Sequence, residues 1–336
     1  MGLRIGIAGA SGAVGRIICE QLAEFEFEAD EIRLLASPRS VGETIVVHGK
    51  ARKIALLSAE NIQGLDLLIA STPDDIATEV AEWCLRSGVT MIDESAAHRM
   101  LEHVPLVVPE VNSHELARHT GIIASPNCST TQLVMCLKPI HDVAGLKRVI
   151  VSTYQAASGA GAAGVNDLIG GTRAALEGTA WEYSVFNRPL AFNLIPNIGS
   201  VKPCGATSEE LKMVHETRKI LDAPELAVTA TCIRVPVVQG HSESVYVECE
   251  REIDAQTAAR LFQEMPGVTL VDDANALDFP NPLMASGKND VFVGRIRQAD
   301  QTPNAIAFWC VSDNLRKGAA TNALQIAACL MGLKCT

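Results

Sequence analysis

A reactive thiol is the first candidate for chemistry. Cys128 stands apart among the chain's ten cysteines because it follows Ser125-Pro126-Asn127 and precedes Ser129-Thr130-Thr131, at the start of a helix predicted to run through Leu137. A thiol at a helix N-terminus meets the positive end of the dipole, which stabilises the thiolate, and the thiolate is the nucleophile. The other cysteines form no C-x-x-C pair and no clustered Cys/His spacing. That pattern predicts neither zinc nor a disulfide framework, and buried small hydrophobes are the ordinary reading.

A second cluster of candidates lies near the N-terminus, in Gly9-Ala10-Ser11-Gly12-Ala13-Val14-Gly15. It falls after a first strand and before a first helix, where the pyrophosphate of a dinucleotide would meet free backbone N–H groups. The spacing is G-x-x-G-x-x-G and not G-x-G-x-x-G, so a plain strand-to-helix turn would use the same glycines. Cofactor choice is read after the second strand, at Ala36-Ser37-Pro38-Arg39-Ser40. An NAD site tends to place Asp or Glu there, whereas Arg39 and Ser40 suit a 2′-phosphate, so NADP is expected. An exposed turn carrying an incidental arginine is the alternative.

These groups need a scaffold. With 336 residues the chain is long enough for two domains, and 48% apolar with 20% charged residues is the balance of an ordinary globular protein. Its net charge of −11 and the lack of a basic patch argue against nucleic acid or anionic membrane partners. The start Leu3-Arg4-Ile5-Gly6-Ile7 reads as a strand and not a leader, and no apolar run reaches the length of a membrane span, so a cytoplasmic location is expected.

Strands are predicted near 3–9, 31–36, 66–70, 89–92 and 121–124, with helices over Val14 to Phe27 and Ile76 to Leu85 between them. That alternation predicts a doubly wound α/β domain around a parallel sheet. From about residue 126 the texture changes. Strands are predicted over Arg148 to Gln155 and near 228–235, 244–250 and 291–297, with a polarity suited to a mixed sheet having one wet face. The expected division is residues 1–126, completed by a C-terminal helix at 314–336 that packs back onto it, and a second, α+β domain at 127–313.

Several segments together resemble the aspartate-semialdehyde dehydrogenase family. Ser125-Pro126-Asn127-Cys128-Ser129-Thr130 is similar to its nucleophile segment, and Val151 to Gly161 to its glutamine strand and glycine loop. Glu209-Glu210-Leu211-Lys212, Arg234-Val235-Pro236-Val237 with His241-Ser242-Glu243, and Ser312-Asp313-Asn314-Leu315 with Lys317-Gly318-Ala319 follow in the family's order. The similarity runs nearly end to end. It implies a Rossmann-type NADP-binding domain and a catalytic and dimerisation domain, assembled as a homodimer or homotetramer. The activity implied is reversible reductive dephosphorylation of L-aspartyl 4-phosphate to L-aspartate 4-semialdehyde, in the biosynthesis of lysine, threonine, methionine and isoleucine.

The resemblance also implies roles. Cys128 forms the thioester, Gln155 positions the acyl group and His241 is the acid/base group, a role suited to a side chain whose ordinary pKa lies near working pH. Arg234 clamps the substrate carboxylate; Lys212 and Arg99 hold the phosphate; Glu209 meets the ammonium; and Asn127 serves the phosphate or oxyanion. Ser158, Gly159 and Asn314 join Gly9, Ser11, Gly12, Ala13, Val14, Arg39 and Ser40 in holding the cofactor.

Two stretches depart from the family pattern. Glu94, Ala96 and His98 stand where the family more commonly has Asn, a small hydroxyl residue and an aromatic, and Asp74-Asp75 stands in a loop usually near the cofactor phosphates. The rival N-acetyl-glutamyl-phosphate reductase usually carries Pro-Gly-Cys-Tyr-Pro-Thr around its nucleophile, which Asn127 and Ser129 do not match. The Ser-Cys-Thr-Thr-Asn segment of glyceraldehyde-3-phosphate dehydrogenase is absent. A non-catalytic paralogue on the same fold is the reading from another class, disfavoured by the retained Cys128, Gln155, Arg234 and His241.

Overall fold

The computed structural model describes residues 2–25, 27, 29–273, 278–299 and 302–333. The chain divides into two compact units, Met1–Asn127 with Ala319–Thr336, and Cys128–Gly318. The ends of the predicted C-terminal helix at 334–336, and Cys335 with them, lie outside the described residues.

In the first unit the strands are β1 (Leu3–Ala8), β2 (Ala29–Ala36), β3 (Thr44–Val47), β4 (Lys50–Lys53), β5 (Ala55–Leu56), β6 (Leu67–Ala70), β7 (Thr90–Asp93) and β8 (Ile122–Ala124). The helices are α1 (Ala13–Gln21), α2 (Ala59–Ile62), α3 (Asp74–Ser87) and α4 (Pro109–Asn112). Six strands form one parallel sheet in the order β5-β2-β1-β6-β7-β8. The order reverses at β1, so the turn after β1 opens at the switch point where such sheets bind ligands. Ile5, Ile7 and Ile69 are fully buried and pack with Ile18 of α1 and with Ala323, Leu324 and Ala327 of the C-terminal helix Thr321–Leu330. Truncating one such large side chain to Ala costs about 2–5 kcal/mol. The polar side chains on this helix are paired: Thr321 Oγ1 donates to Gln21 Oε1 at 3.0 Å, and Asn322 Nδ2 donates to Ser125 Oγ at 3.0 Å.

α1 stops at Gln21, short of the predicted Phe27. Glu24 follows, and an acidic group past a helix C-terminus opposes its dipole. Phe25 and Phe27 stack on each other with centroids 6.0 Å apart. The β3–β4 hairpin was not predicted; it turns at His48 (φ 51°) and Gly49 (φ 70°), a pair of left-handed residues that matches a type I′ turn.

In the second unit α5 (Cys128–Ala144), α6 (Gly161–Glu177), α7 (Ser208–Ile220), α8 (Ala255–Glu264) and α9 (Pro282–Ala285) accompany a mixed sheet. Its strands are β9 (Leu146–Gln155), β10 (Ala227–Arg234), β11 (His241–Cys249), β12 (Val268–Leu270), β13 (Val291–Gln298) and β14 (Ala305–Ser312), in the order β10-β9-β11-β14-β13-β12. The sheet is mixed, as expected. The central strand β14 was missed because Ala305-Ile306-Ala307-Phe308-Trp309-Cys310-Val311 is a nearly continuous apolar run without period-2 alternation.

Sheet register places the chemistry. β9 and β10 are parallel with Gln155 opposite Arg234, so both strands end on these two residues. β11 runs antiparallel to β9 and begins at His241, opposite Ser312 at the end of β14. Gln155, Arg234, His241 and Ser312 therefore share one end of the sheet.

Candidate active site

Cys128 is the first residue of α5 and is half-buried. Asn127 stands immediately before it, a position at which Asn is favoured for capping. The expected helix start is therefore met. A Cβ at Gly318 would lie 2.8 Å from Cys128 Cβ, so only glycine leaves room beside the thiol. Behind it, Ser312 Oγ donates to Gln132 Oε1 at 2.6 Å, tying the first turns of α5 to β14.

At the shared sheet end, the backbone of one residue serves two side chains. The Ala156 carbonyl accepts Arg234 Nη1 at 2.6 Å, and the Ala156 N–H donates to His241 Nδ1 at 3.0 Å. A Cβ at Gly159 would meet Arg234 Nη1 at 2.6 Å and His241 Nε2 at 3.1 Å, so glycine is required there for these two side chains to approach. Arg234 Cζ lies 6.0 Å from the centroid of the Phe186 ring. Burial holds the Arg234 guanidinium below its ordinary value, with the charges of Cys128 and Glu209 opposing, which places all three in one electrostatic neighbourhood.

His241 is fully buried. Burial, reinforced by the Arg234 charge, pushes its pKa down to about 3, against the opposing pull of Glu209 and the Gly240 backbone. The expectation that it titrates near working pH is corrected: the desolvated ring beside a cation stays neutral. Because Nδ1 accepts a backbone N–H, the neutral ring carries its proton on Nε2, and Nε2 is buried with no hydrogen-bond partner. A buried donor left unpaired in this way is suited to a ligand atom.

Gln155 and Glu209 bond each other. Gln155 Nε2 donates to Glu209 Oε1 at 3.1 Å, Lys212 Nζ donates to Glu209 Oε2 at 3.1 Å, and Thr153 Oγ1 donates to Gln155 Oε1 at 3.0 Å. The neighbouring Glu210 serves the helix instead. Its side chain accepts the Thr207 N–H at 2.7 Å and Thr207 Oγ1 accepts the Glu210 N–H at 3.3 Å, a capping box that starts α7 and turns Glu209 and Lys212 onto one face.

Ser158 and Asn314 are both buried. Asn314 Oδ1 accepts Ser158 Oγ at 3.1 Å and the Gly240 N–H at 2.9 Å, so it steadies the residue before His241. Asp313 accepts Gln239 Nε2 at 2.6 Å and the Gly287 N–H at 2.7 Å.

The remaining predicted residues belong to the first unit. Gly9 has φ 78°, and a Cβ there would lie 2.1 Å from the Ser71 carbonyl oxygen. A Cβ at Gly15 would lie 2.2 Å from the Gly9 carbonyl oxygen. The loop is thus tighter than side chains permit. Gly12 is exposed at the head of α1 and carries no side-chain cap, so Ala13 and Val14 begin the helix with N–H groups that have no intrahelical acceptor. Ser11 is half-buried beside them; Arg39 is exposed and Ser40 half-buried in the short turn Pro38–Ser40 after β2. This cradle fits the pyrophosphate of a dinucleotide. No cluster of His, Cys, Asp and Glu suited to a metal occurs among the described residues.

Arg99 is buried, donating from Nε to the Ser125 carbonyl at 2.8 Å and from Nη2 to the Glu94 carbonyl at 2.7 Å. The departures from the family pattern have local partners. His98 Nδ1 meets Asp93 Oδ2 at 2.6 Å, and Ser95 Oγ donates to the same oxygen at 2.8 Å. Asp74 Oδ1 accepts the Ala96 N–H at 2.9 Å, and both Asp74 and Asp75 sit in the first turn of α3, where negative charge suits the helix dipole. Burial pushes the Glu94 carboxyl up to about 7, with the Ser125 bond and the Arg99 charge opposing.

Residues 4–119 match the family described as semialdehyde dehydrogenase, NAD binding domain, and residues 137–317 match semialdehyde dehydrogenase, dimerisation domain. An aspartate-semialdehyde dehydrogenase of Aquifex aeolicus is 45% identical over 335 residues, covering 98% of each chain. One of Bacillus subtilis is 44% identical over 340 residues, covering 99% of this chain and 98% of the relative. The crystal structure of aspartate semialdehyde dehydrogenase II of Vibrio cholerae complexed with ASA superposes with a TM-score of 0.94 at 40% identity, covering 99% of both chains.

Proposed function

The chain belongs to the aspartate-semialdehyde dehydrogenase family, and from that premise we infer that it reductively dephosphorylates L-aspartyl 4-phosphate to L-aspartate 4-semialdehyde and runs the reverse reaction. The observation that carries this reading is the convergence of Gln155, Arg234 and His241 at one sheet end, with Arg234 in the field of a Cys128 that begins a helix.

Each side chain has work its surroundings suit. Cys128 as thiolate attacks the acyl carbon; the C–O bond to phosphate breaks and phosphate leaves with the electron pair, giving a thioester. NADPH, when bound, would supply a hydride to the acyl carbon; the C–S bond then breaks, Cys128 leaves as the thiolate with the electron pair, and the aldehyde is released. His241 enters with its proton on Nε2 and donates a hydrogen bond to the acyl oxygen as charge grows there, a stabilisation strengthened by the dry surroundings. The acid/base role implied by the resemblance reduces to holding that Nε2 proton on the developing oxyanion, since a ring that stays neutral takes up no proton at working pH. Gln155, held between Thr153 and Glu209, positions the acyl group.

Arg234, fixed at Nη1 by the Ala156 carbonyl, turns the rest of its fork to the substrate carboxylate. Glu209 takes the ammonium and Lys212 the phosphate, while Arg99 and Asn127 keep the phosphate and oxyanion roles implied by the resemblance. Gly9, Ser11, Gly12, Ala13 and Val14 cradle the cofactor pyrophosphate, Arg39 and Ser40 favour NADP over NAD, and Ser158, Gly159 and Asn314 complete the cofactor set. Assembly as a homodimer or homotetramer is supported by the dimerisation-domain match and by Leu176 and Phe192, 75% and 72% exposed on the same unit. No described helix is long and apolar enough to cross a membrane, and with a net charge of −11 this supports a cytoplasmic setting. The test is steady-state oxidation of the semialdehyde: NADPH formation that requires inorganic phosphate supports the reading, and formation indifferent to phosphate rejects it.

A further inference from the structure

Asp167 of α6 is 1% exposed, and its hydrogen-bond donors come from the segment that follows the helix. Its oxygens accept the backbone N–H groups of Ser184 at 2.9 Å, Val185 at 2.8 Å and Phe186 at 3.3 Å, and the Ser184 hydroxyl at 3.1 Å. The Trp181 indole N–H lies 3.5 Å away. Burial works to raise its pKa, yet the combined bonds from Ser184, Val185 and Phe186 hold the carboxyl below its ordinary range. Three consecutive backbone N–H groups converging on one buried carboxylate fix the path of the chain as a helix cap would.

That path ends at the substrate side of the site. Phe186 follows directly, with its ring 6.0 Å from Arg234 Cζ, and on α6 a Cβ at Gly164 would lie 3.2 Å from Phe186 Cζ. Val185, Phe186 and Asn187 then line a cavity of about 340 Å³ that Arg234 also borders, with Asn197 on its wall.

We propose that Asp167 is a positioning residue for substrate recognition: by holding Ser184 to Phe186 it sets the wall of the Arg234 cavity and so the carboxylate-bearing chain that fits there. The proposal rests on the reading of Arg234 as the carboxylate clamp. Without the carboxylate, three backbone N–H groups lose their shared acceptor and the wall is no longer preorganised, which weakens binding more than chemistry.

The test pairs hydrogen exchange with kinetics on the full-length enzyme. Asp167→Asn is expected to speed exchange in the peptide containing Ser184 to Phe186. It should raise KM for aspartate semialdehyde roughly tenfold, while kcat and the KM values for phosphate and NADP stay within about twofold. Phe186→Leu, which leaves the Asp167 bonds intact, should raise the same KM with exchange protection kept. Lost protection with an unchanged semialdehyde KM overturns the proposal, as does unchanged protection, or a uniform loss of kcat with all three KM values altered together. A wild type inert toward the semialdehyde overturns the functional reading and this proposal with it, whereas an active wild type whose Asp167→Asn variant keeps its KM overturns the proposal alone.

Discussion

Replacing Glu243 by Gln should make the protein's stability less sensitive to alkaline pH. Glu243 lies two residues after His241 on β11, opposite Thr153 on one side and Cys310 on the other, and is fully buried. Its Oε2 accepts the Cys310 thiol at 3.6 Å and its Oε1 has no hydrogen-bond partner. Burial pushes the carboxyl from 4.5 up to about 8, with the neighbouring Gln132 and Cys310 opposing, so it is neutral in the folded protein at pH 7. The folded pKa is raised, so the native state holds a proton that the unfolded chain releases. The stabilisation is full below 4.5 and is lost as pH rises through 8. At about 1.4 kcal/mol per unit, the loss is roughly 3 kcal/mol by pH 7 and about 5 kcal/mol above pH 8. Glutamine does not titrate and escapes it. Any constant gain or loss from the new amide is the same at every pH, so the slope is what carries the information. Urea unfolding of both proteins from pH 5 to 9 should show the variant gaining on wild type by several kcal/mol across that range. A difference that stays flat with pH would refute the argument, because it would mean that the carboxyl titrates alike in both states.

Among the accessible thiols, iodoacetamide should label Cys128 faster than the exposed Cys204 at neutral pH, since only Cys128 begins a helix; equal rates on peptide mapping would remove activation by the helix terminus. The buried Cys19 and Cys84, both pushed up to about 12 by burial, should stay unlabelled in the native protein. Arg39→Ala should weaken NADPH binding far more than NADH binding in fluorescence titrations, and parallel losses would make Arg39 a surface charge only. His241→Asn should lower kcat by about 10²–10⁴-fold with modest change in KM, whereas Arg234→Lys, which loses the planar fork, should lower kcat and raise the KM of the semialdehyde. The wild-type pH profile should show no His241 limb near pH 6.5, because burial has moved that titration to about 3.

Local chemistry was legible in the sequence wherever neighbours in the chain settle it. Pro126-Asn127-Cys128 announces a helix start, Gly9 to Gly15 a tight turn after a strand, and the spacing of Glu209 and Lys212 a shared helix face, found as a 3.1 Å ion pair. The parallel sheet followed from strands alternating with amphipathic helices. Convergence was not legible from spacing: Gln155, Arg234 and His241 meet because β9 and β10 are parallel and β11 returns antiparallel, a matter of register between distant segments. For these three, only the family resemblance pointed the way. β14 went unread because a strand in the middle of a sheet need not alternate, and the end of α1 was overrun because Phe25 and Phe27 continued an apolar pattern past its last turn. The state of His241 depends on burial and on Arg234, neither of which a sequence displays. Gly318 lies in a segment the resemblance marked, but its packing role shows only when Cys128 is found beside the place its Cβ would occupy. Asp167 carries no motif, since its partners lie 17 to 19 residues away across the end of a helix.

The central claim is a thioester on Cys128 that phosphate discharges. Mixing the enzyme with L-aspartate 4-semialdehyde and NADP in the absence of phosphate should give a burst of about one NADPH per subunit, the mark of an accumulating acyl-enzyme. Peptide mass spectrometry should then find an aspartyl adduct on the fragment containing Cys128, and added phosphate should remove the adduct and start steady turnover. Steady NADPH formation without phosphate and without an adduct, or an adduct on any other cysteine, would contradict the account.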